Sequence, residues 1–259
     1  MDWLQALILG LLQGLTEFLP VSSSGHLELG KVILGTEVKE DLTFTVVVHG
    51  ATVLSTLVVF RKDIGQLLSG LFKFKWNNET QYSSKIIFSM IPVVIVGLVC
   101  KDDIEALFNG DVHFIGGMLL ITAAILAFTY LRKSGNREIG FIDAFIIGIA
   151  QVIATIPGIS RSGTTIATAL LIGNKREEAA KFSFLMVILP ILAANAKDIL
   201  DNTASFGSSI DVLPLVIGFI TAFVAGLLAC KAMIAIVKKG GLIWFSIYCL
   251  AVGLVAFFV

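Results

Sequence analysis

An internal offset of 138 residues constrains this chain more than any other feature of it. Laid on itself at that offset, the sequence superimposes Gly10 on Gly148, Gln13 on Gln151, Ser22 on Ser160, Ser24 on Ser162 and Gly25 on Gly163. Gly35 then meets Gly173, Glu40 meets Glu178 and Phe44 meets Phe182, all without a gap. Small residues are common in membrane helices, but the ordered pattern G-x-x-Q, S-x-S-G, G, E-x-x-x-F points to duplication. The chain reads as a single integral membrane domain, 1–259, made of two halves, about 1–135 and 136–259.

Composition says what solvent those halves meet. Hydrophobic residues make up 56% of the chain and charged residues 15%, against roughly 25% charged in a soluble domain. Apolar stretches at 1–20, 43–60, 84–100, 112–131, 139–157, 179–196, 212–230 and 241–259 approach or exceed what a hydrocarbon core of ~30 Å requires. The first has Asp2 in place of a basic leader and carries Gln13 and Glu17, so it is expected to remain part of the mature protein. Cys100, Cys230 and Cys249 are isolated in or beside apolar runs and read as packing residues, with no metal or disulfide spacing.

The charges that remain are sorted by segment. Segments 61–85, 131–139, 174–181 and 231–239 hold 14 Lys and Arg and 5 Asp and Glu; segments 28–41, 101–111 and 197–211 hold 4 and 11. Cytoplasmic loops are enriched in Lys and Arg, so the first set is expected inside and the second outside. The two sets alternate along the chain, and the repeat-equivalent segments 28–41 and 174–181 fall on opposite sides. The halves are therefore inverted, as in many transporter folds. In each half a short apolar stretch runs into a Pro and a Ser-Gly turn, followed by a second stretch too short to span (27–34 and 164–173). The expected fold is all-α and polytopic: an inverted-topology repeat with about six transmembrane helices plus two re-entrant helix hairpins, both termini outside. Two full spans in place of each hairpin would give the same parity.

Two charges fall inside the apolar regions at those turns, Glu17 and Arg161. Charge at membrane depth is costly and marks a partner or an aqueous cavity. The first turn reads Q-G-L-T-E-F-L-P-V-S-S-S-G-H from Gln13 to His26. Gln13 and Glu17, four residues apart, share a helix face. Pro20 ends that helix, and Ser22-Ser23-Ser24-Gly25 opens the next as a cap and a ready anion site, with His26 in its first turn. The second turn, P-G-I-S-R-S-G-T-T from Pro157 to Thr165, repeats the design with Arg161 where the first has Ser23. Its guanidinium offers a planar fork to phosphate oxygens, among the hydroxyls of Ser160, Ser162, Thr164 and Thr165. Two opposed anion-binding turns suit a diphosphate. Glu17 supplies a metal ligand or base, and His26 a group that takes or gives a proton. His49, Asp143, Gln151 and Asn195 read as interhelical hydrogen-bonding residues, and His113 as a bland loop-edge side chain.

At these residues the chain resembles the undecaprenyl-diphosphate phosphatase family of the bacitracin-resistance type. One family signature, an (E/Q)-x-x-x-E pair followed by P-V-S-S-S/T-G-H, matches Gln13, Glu17 and Pro20 to His26; the other, P-G-x-S-R-S-G-x-T, matches Pro157 to Thr165. Phe182 to Leu185 also fits, and the similarity covers nearly the whole chain. The resemblance implies removal of the terminal phosphate of undecaprenyl diphosphate, recycling the lipid carrier of peptidoglycan synthesis. It implies a divalent cation (Mg²⁺ or Ca²⁺), a bacterial plasma membrane location and a site opening to the outer face. Carried over by position, Glu17, Ser23, His26 and Arg161 are catalytic. Ser22, Ser24, Gly25, Ser160, Ser162, Gly163 and Thr165 bind substrate, and Glu17 and Gln13 hold metal. Gln13 stands where Glu is frequent, which leaves one fewer anionic ligand. Ser23, His26 and an activated water all remain open as nucleophile.

The expected partners are a polyprenyl diphosphate lipid and the bilayer, with no nucleic acid; a homodimer stays open. The competing reading is a transporter or flippase for a polyprenyl phosphate lipid, since inverted repeats with broken helices also build carriers. A proton-transfer group beside the anion site favours hydrolysis.

Overall fold

The computed structural model describes residues 1–35, 42–131, 135–201 and 212–258. Within them the protein is helical, with no strand beyond one isolated bridge between Arg137 and Asn174. In chain order the helices are α1 (Trp3–Phe18), α2 (Ser23–Leu34), α3 (Leu42–Val59), α4 (Arg61–Leu71), α5 (Asn78–Val99), α6 (Lys101–Ala106) and α7 (Val112–Leu131). The second half contributes α8 (Phe141–Ile153), α9 (Arg161–Leu171), α10 (Arg176–Met186), α11 (Ile188–Asp201), α12 (Val212–Lys239) and α13 (Leu242–Phe258).

The protein is a multi-pass membrane protein. Four stretches are long and apolar enough to cross a bilayer: Asn78–Val99, Val112–Leu131, Arg176–Lys197 and Val212–Lys239. A fifth is the pair Thr43–Val59 and Arg61–Leu71, bent by 75° at the break. The bend falls where Arg61 and Lys62 follow the apolar run of α3, so α4 turns aside at the charged boundary. α13 is apolar and 17 residues long, at the short end of the spanning range. Large apolar side chains face outward along these helices, Leu98, Val99 and Phe128 among them, a surface that water would not tolerate but lipid does.

The duplication is visible in the packing. α1 corresponds to α8, α2 to α9, α5 to α12 and α7 to α13. α1 packs along α12 while α8 packs along α5, so each half clasps the long span of the other, and α7 lies against α13 across the seam. The repeated glycines stand at these crossings. A Cβ on Gly10 would lie 2.6 Å from the Gly218 carbonyl oxygen, and one on Gly148 would strike the Ser89 carbonyl oxygen. Gly35 and Gly173 end α2 and α9 with positive φ, 62° and 96°, where glycine avoids the left-handed penalty. Phe44 and Phe182 are both buried. The Glu40 end of the Glu40–Glu178 match lies outside the described residues. Glu178 accepts a hydrogen bond from the Ile139 N–H at 3.0 Å.

α1–α2 and α8–α9 are the expected hairpins. α1 has 16 residues and α8 has 13, and each is followed by a turn and a short helix that packs back on it. Their backbones are irregular at the turns, as membrane depth allows only where protein or a cavity covers them.

Gly10→Ala and Gly148→Ala should each lower the thermal midpoint of the detergent-purified protein, since overpacking costs about 1–3 kcal/mol. Gly65→Ala, which meets nothing within 4 Å, should not. Equal midpoints for all three would contradict the inter-half crossings.

Candidate active site

The two turns meet. A Cβ on Gly25 would lie 3.0 Å from the Gly158 Cα, and one on Gly163 would lie 3.1 Å from the Pro20 Cβ. Pro20 and Gly158 are themselves repeat equivalents, so each elbow rests its glycine on the other's pivot. Both elbows are built alike. The Ser22 hydroxyl accepts from the Gly25 N–H at 3.3 Å, and the Ser160 hydroxyl accepts from the Gly163 N–H at 3.1 Å. Each cap hydroxyl also lies 3.4 Å from the serine hydroxyl two residues on, Ser24 or Ser162. They differ in backbone. Ser22 sits at φ 70°, a strained position for a residue with a Cβ, whereas the second elbow puts its positive φ on Gly158. Strain of this kind costs about 1–3 kcal/mol and collects at functional sites.

Where the elbows touch, Glu17 of α1 pairs with Arg161, the first residue of α9. The Glu17 carboxylate is buried while the Arg161 side chain is 28% exposed, so the guanidinium is the partner that faces open space. The Ser23 hydroxyl donates to Glu17 Oε2 at 2.6 Å, and Gln13 Nε2 donates to the same oxygen at 2.9 Å. The Gln13 Oε1 is left as a buried acceptor with no partner among the described residues, as is that of its repeat equivalent Gln151.

These groups floor a cavity of about 500 Å³. Ser22, Ser23, Ser24, Gln151 and Arg161 line it with Glu17, while its walls are largely apolar, from Val93 to Leu98 of α5 and from Pro190 to Ala194 of α11, with Lys197 beyond them. The cavity thus has a polar floor between two helix N-termini and largely apolar sides. That suits an anionic headgroup carrying a long apolar tail.

The sequence-derived residues divide. Gln13, Glu17, Ser23 and Arg161 converge, with Ser22 and Ser24 beside them. Gly25, Ser160, Gly163 and Thr165 hold the elbows together instead of lining the cavity: Thr165 donates to the Arg161 carbonyl at 2.8 Å and lies 2.6 Å from the Ser183 hydroxyl. Ser162 donates to the Leu19 carbonyl at 3.2 Å and faces a narrow space on the far side of the ion pair. His26 points away from Glu17. Its Nδ1 donates to the Ser22 carbonyl at 2.9 Å, its Nε2 accepts from the Tyr248 hydroxyl at 2.9 Å, and its ring stacks on Tyr248 with centroids 5.6 Å apart.

His49 is the imidazole that lines the cavity. Its Nδ1 donates to the Thr45 carbonyl at 2.9 Å, and its Nε2 lies 4.0 Å from Glu17 Oε2. The repeat gave no hint of this, because its counterpart is Val187. Asn195 makes the expected interhelical bond, donating to the Val46 carbonyl at 3.3 Å. Asp143 accepts from Arg137 and Asn174 at 2.5 and 3.1 Å.

Among the described residues no three His, Cys, Asp or Glu side chains form a protein-only metal cluster. For a divalent cation the residues offer one arrangement, with Glu17 at the cavity and the buried Gln13 behind it. Mg²⁺ commonly takes one or two carboxylates and completes its shell with water and substrate phosphate. Glu17 and the partnerless Gln13 oxygen could supply such a half-shell.

Comparison with known proteins adds the context. A family profile described as bacitracin resistance protein BacA matches residues 6–255. A protein of Christiangramia forsetii named undecaprenyl-diphosphatase is 57% identical over 99% of this chain and 97% of its own length. Proteins with the same name from Bacteroides fragilis and Carboxydothermus hydrogenoformans are 54% and 42% identical, over 98% and 96% of this chain and 97% and 94% of theirs.

Removing one member of a buried ion pair strands the other. Arg161→Ala should destabilise the protein toward the low end of about 3–5 kcal/mol, because its own side chain is partly exposed. Adding Glu17→Gln should recover most of the lost thermal midpoint. A double variant no more stable than Arg161→Ala would contradict the pairing.

Proposed function

The chain belongs to the family of bacitracin resistance protein BacA, and from that premise we propose how its cavity removes the terminal phosphate of a lipid diphosphate. Its reaction is the hydrolysis of undecaprenyl diphosphate to undecaprenyl phosphate and inorganic phosphate, the activity that its relatives' name describes. That name favours hydrolysis over the carrier reading. One observation supports the assignment of residues above all others: Glu17 and Arg161, from oppositely inserted halves, meet at the polar floor of a cavity with largely apolar walls.

In this mechanism the prenyl tail lies between α5 and α11 while the diphosphate descends to the elbows. Arg161 exchanges its ion pair with Glu17 for the phosphate oxygens, joined by the free N–H groups that open α2 and α9. Donors already in position stabilise charge as it builds on the phosphoryl group. The exchange frees Glu17 to act as base. The Ser23 hydroxyl already donates to it at 2.6 Å, so the Ser23 oxygen is the nucleophile best set up to lose its proton. The Ser23 Oγ–P bond forms as the bridging P–O bond breaks, and its electron pair leaves with undecaprenyl phosphate. The departing undecaprenyl phosphate takes the proton that Glu17 removed from Ser23, which restores the carboxylate. Water then loses a proton to Glu17 as its oxygen bonds to phosphorus and the Ser23 Oγ–P bond breaks. That proton returns to the Ser23 oxygen as phosphate leaves.

Gln13 and Glu17 would hold the divalent cation, which when bound neutralises charge on the diphosphate. His26, engaged through both ring nitrogens, acts in this scheme by bracing the Ser22 carbonyl and hence the turn that aims Ser23. The cavity is bounded by the ends of α5 and α11 next to the acidic segments 101–111 and 197–211. By charge bias that face is outside, supporting a site open to the outer face of a bacterial plasma membrane. All its residues come from one chain, so the mechanism needs no second copy.

Purified protein in detergent, given a long-chain prenyl diphosphate, should release inorganic phosphate where transport is impossible. Ser23→Ala should cut kcat by at least about 10²-fold, the low end of what a positioned proton-transfer pair contributes, and a chelator should suppress the wild type. Near-normal turnover in Ser23→Ala would refute the nucleophile, and full turnover under chelation would refute the cation.

A further inference from the structure

A second cavity lies at the opposite, basic face of the protein. Four cations of the second half are paired there with carboxylates. Arg137 lies 2.5 Å from Asp143, Lys175 3.4 Å from Glu138 and Lys238 2.7 Å from Glu177, and Lys181 is paired with Asp63. Arg176 and Lys239 have no acidic partner among the described residues. They are also the two cations that line a cavity of about 390 Å³, together with Thr129, Tyr130, Leu170 and Leu242. This cavity shares no lining residue with the one above Glu17.

Its construction is specific. The Arg176 guanidinium lies directly on Gly240, the φ 80° turn between α12 and α13. A Cβ at Gly240 would fall 2.8 Å from the guanidinium carbon. The bare glycine thus lets the fork lie over the turn, with Lys239 next to it in sequence. Tyr130 also lines the cavity at the end of α7, next to Thr129, whose hydroxyl donates to the Leu126 carbonyl at 2.6 Å. Tyr130 is 70% exposed at the end of a span, where aromatic residues mark the headgroup level. Leu170 and Leu242 make the inner wall apolar.

A fork, an ammonium and a tyrosine hydroxyl over an apolar wall match a phosphate attached to an acyl glycerol, and basic pockets between spans on the cytoplasmic side take such headgroups. We infer that this cavity binds the phosphate headgroup of an anionic glycerophospholipid from the leaflet at the basic face. The bound lipid would bridge α7 of the first half to α10 and the α12–α13 turn of the second. Its effect is therefore on the stability of the seam between halves, and it does not rest on the catalytic reading.

The test is the thermal midpoint of the full chain in non-ionic detergent with added short-chain phosphatidylglycerol, phosphatidylcholine, undecaprenyl phosphate or inorganic phosphate. Phosphatidylglycerol at about 100-fold over its Kd should raise the midpoint by about 5 °C or more, while phosphatidylcholine and inorganic phosphate should not. The gain should vanish in the Arg176→Gln/Lys239→Gln double variant and persist in Lys238→Gln. Native mass spectrometry gives a second readout that does not depend on the variants' stability: wild type should retain one more phosphatidylglycerol than Arg176→Gln. The inference is overturned by an equal rise with phosphatidylcholine or by a rise that survives the double variant. It is overturned equally by a rise reproduced with inorganic phosphate, by one given only by undecaprenyl phosphate, or by equal lipid counts.

Discussion

The ion pair between Glu17 and Arg161 is the contact on which the rest of the structure turns. Either charge alone at membrane depth would be costly, and a buried pair is tolerated only when the remaining donors and acceptors are satisfied. Here Ser23 and Gln13 satisfy the carboxylate, and the guanidinium reaches into the cavity. Holding the pair together requires two chain reversals inside the protein, each with its own capped helix start. Those reversals can approach because Gly25 and Gly163 carry no side chain where they rest on Gly158 and Pro20. The stripe of small residues in the sequence is thus the mechanical condition for the charges to meet.

The scaffold is symmetric and the chemistry is not. Duplication supplies two similar elbows, each with a serine cap and a helix N-terminus that favours anions. Divergence at two pairs of equivalent positions then divides the labour. Ser23 faces the role that Arg161 fills in the other half, and Glu17 corresponds to Thr155. One elbow carries the carboxylate and hydroxyl, the other the cation. A diphosphate lipid, with two phosphates and one tail, meets this arrangement at a cavity whose floor is polar and whose walls are largely apolar.

Much of this was legible in the residues. The repeat predicted the two hairpins, and the charge bias of its equivalent segments their inverted relation. Its glycines are now explained one by one: Gly10 and Gly148 at inter-half crossings, Gly35 and Gly173 at left-handed helix ends, Gly25 and Gly163 between the elbows. Helical spacing correctly put Gln13 and Glu17 on one face. What spacing cannot give is the identity of the helix opposite that face. His26 finds its partner in Tyr248, 222 positions away, and turns from Glu17, while His49 of α3 comes up beside it. The strain at Ser22 was equally hidden, since a serine cap normally needs no positive φ. The distinction between hydroxyls that line the cavity and those that tie the elbows together depends on that same tertiary context.

The central claim is that Glu17 and Arg161 act as one unit in one cavity. A double-mutant cycle on kcat/KM for phosphate release, with Glu17→Gln, Arg161→Lys and both together, tests it most directly. The account predicts that the double variant is scarcely worse than the more damaging single one, as for residues that work jointly. Losses that simply multiply, within about twofold, would mean that the two side chains contribute independently and would contradict it.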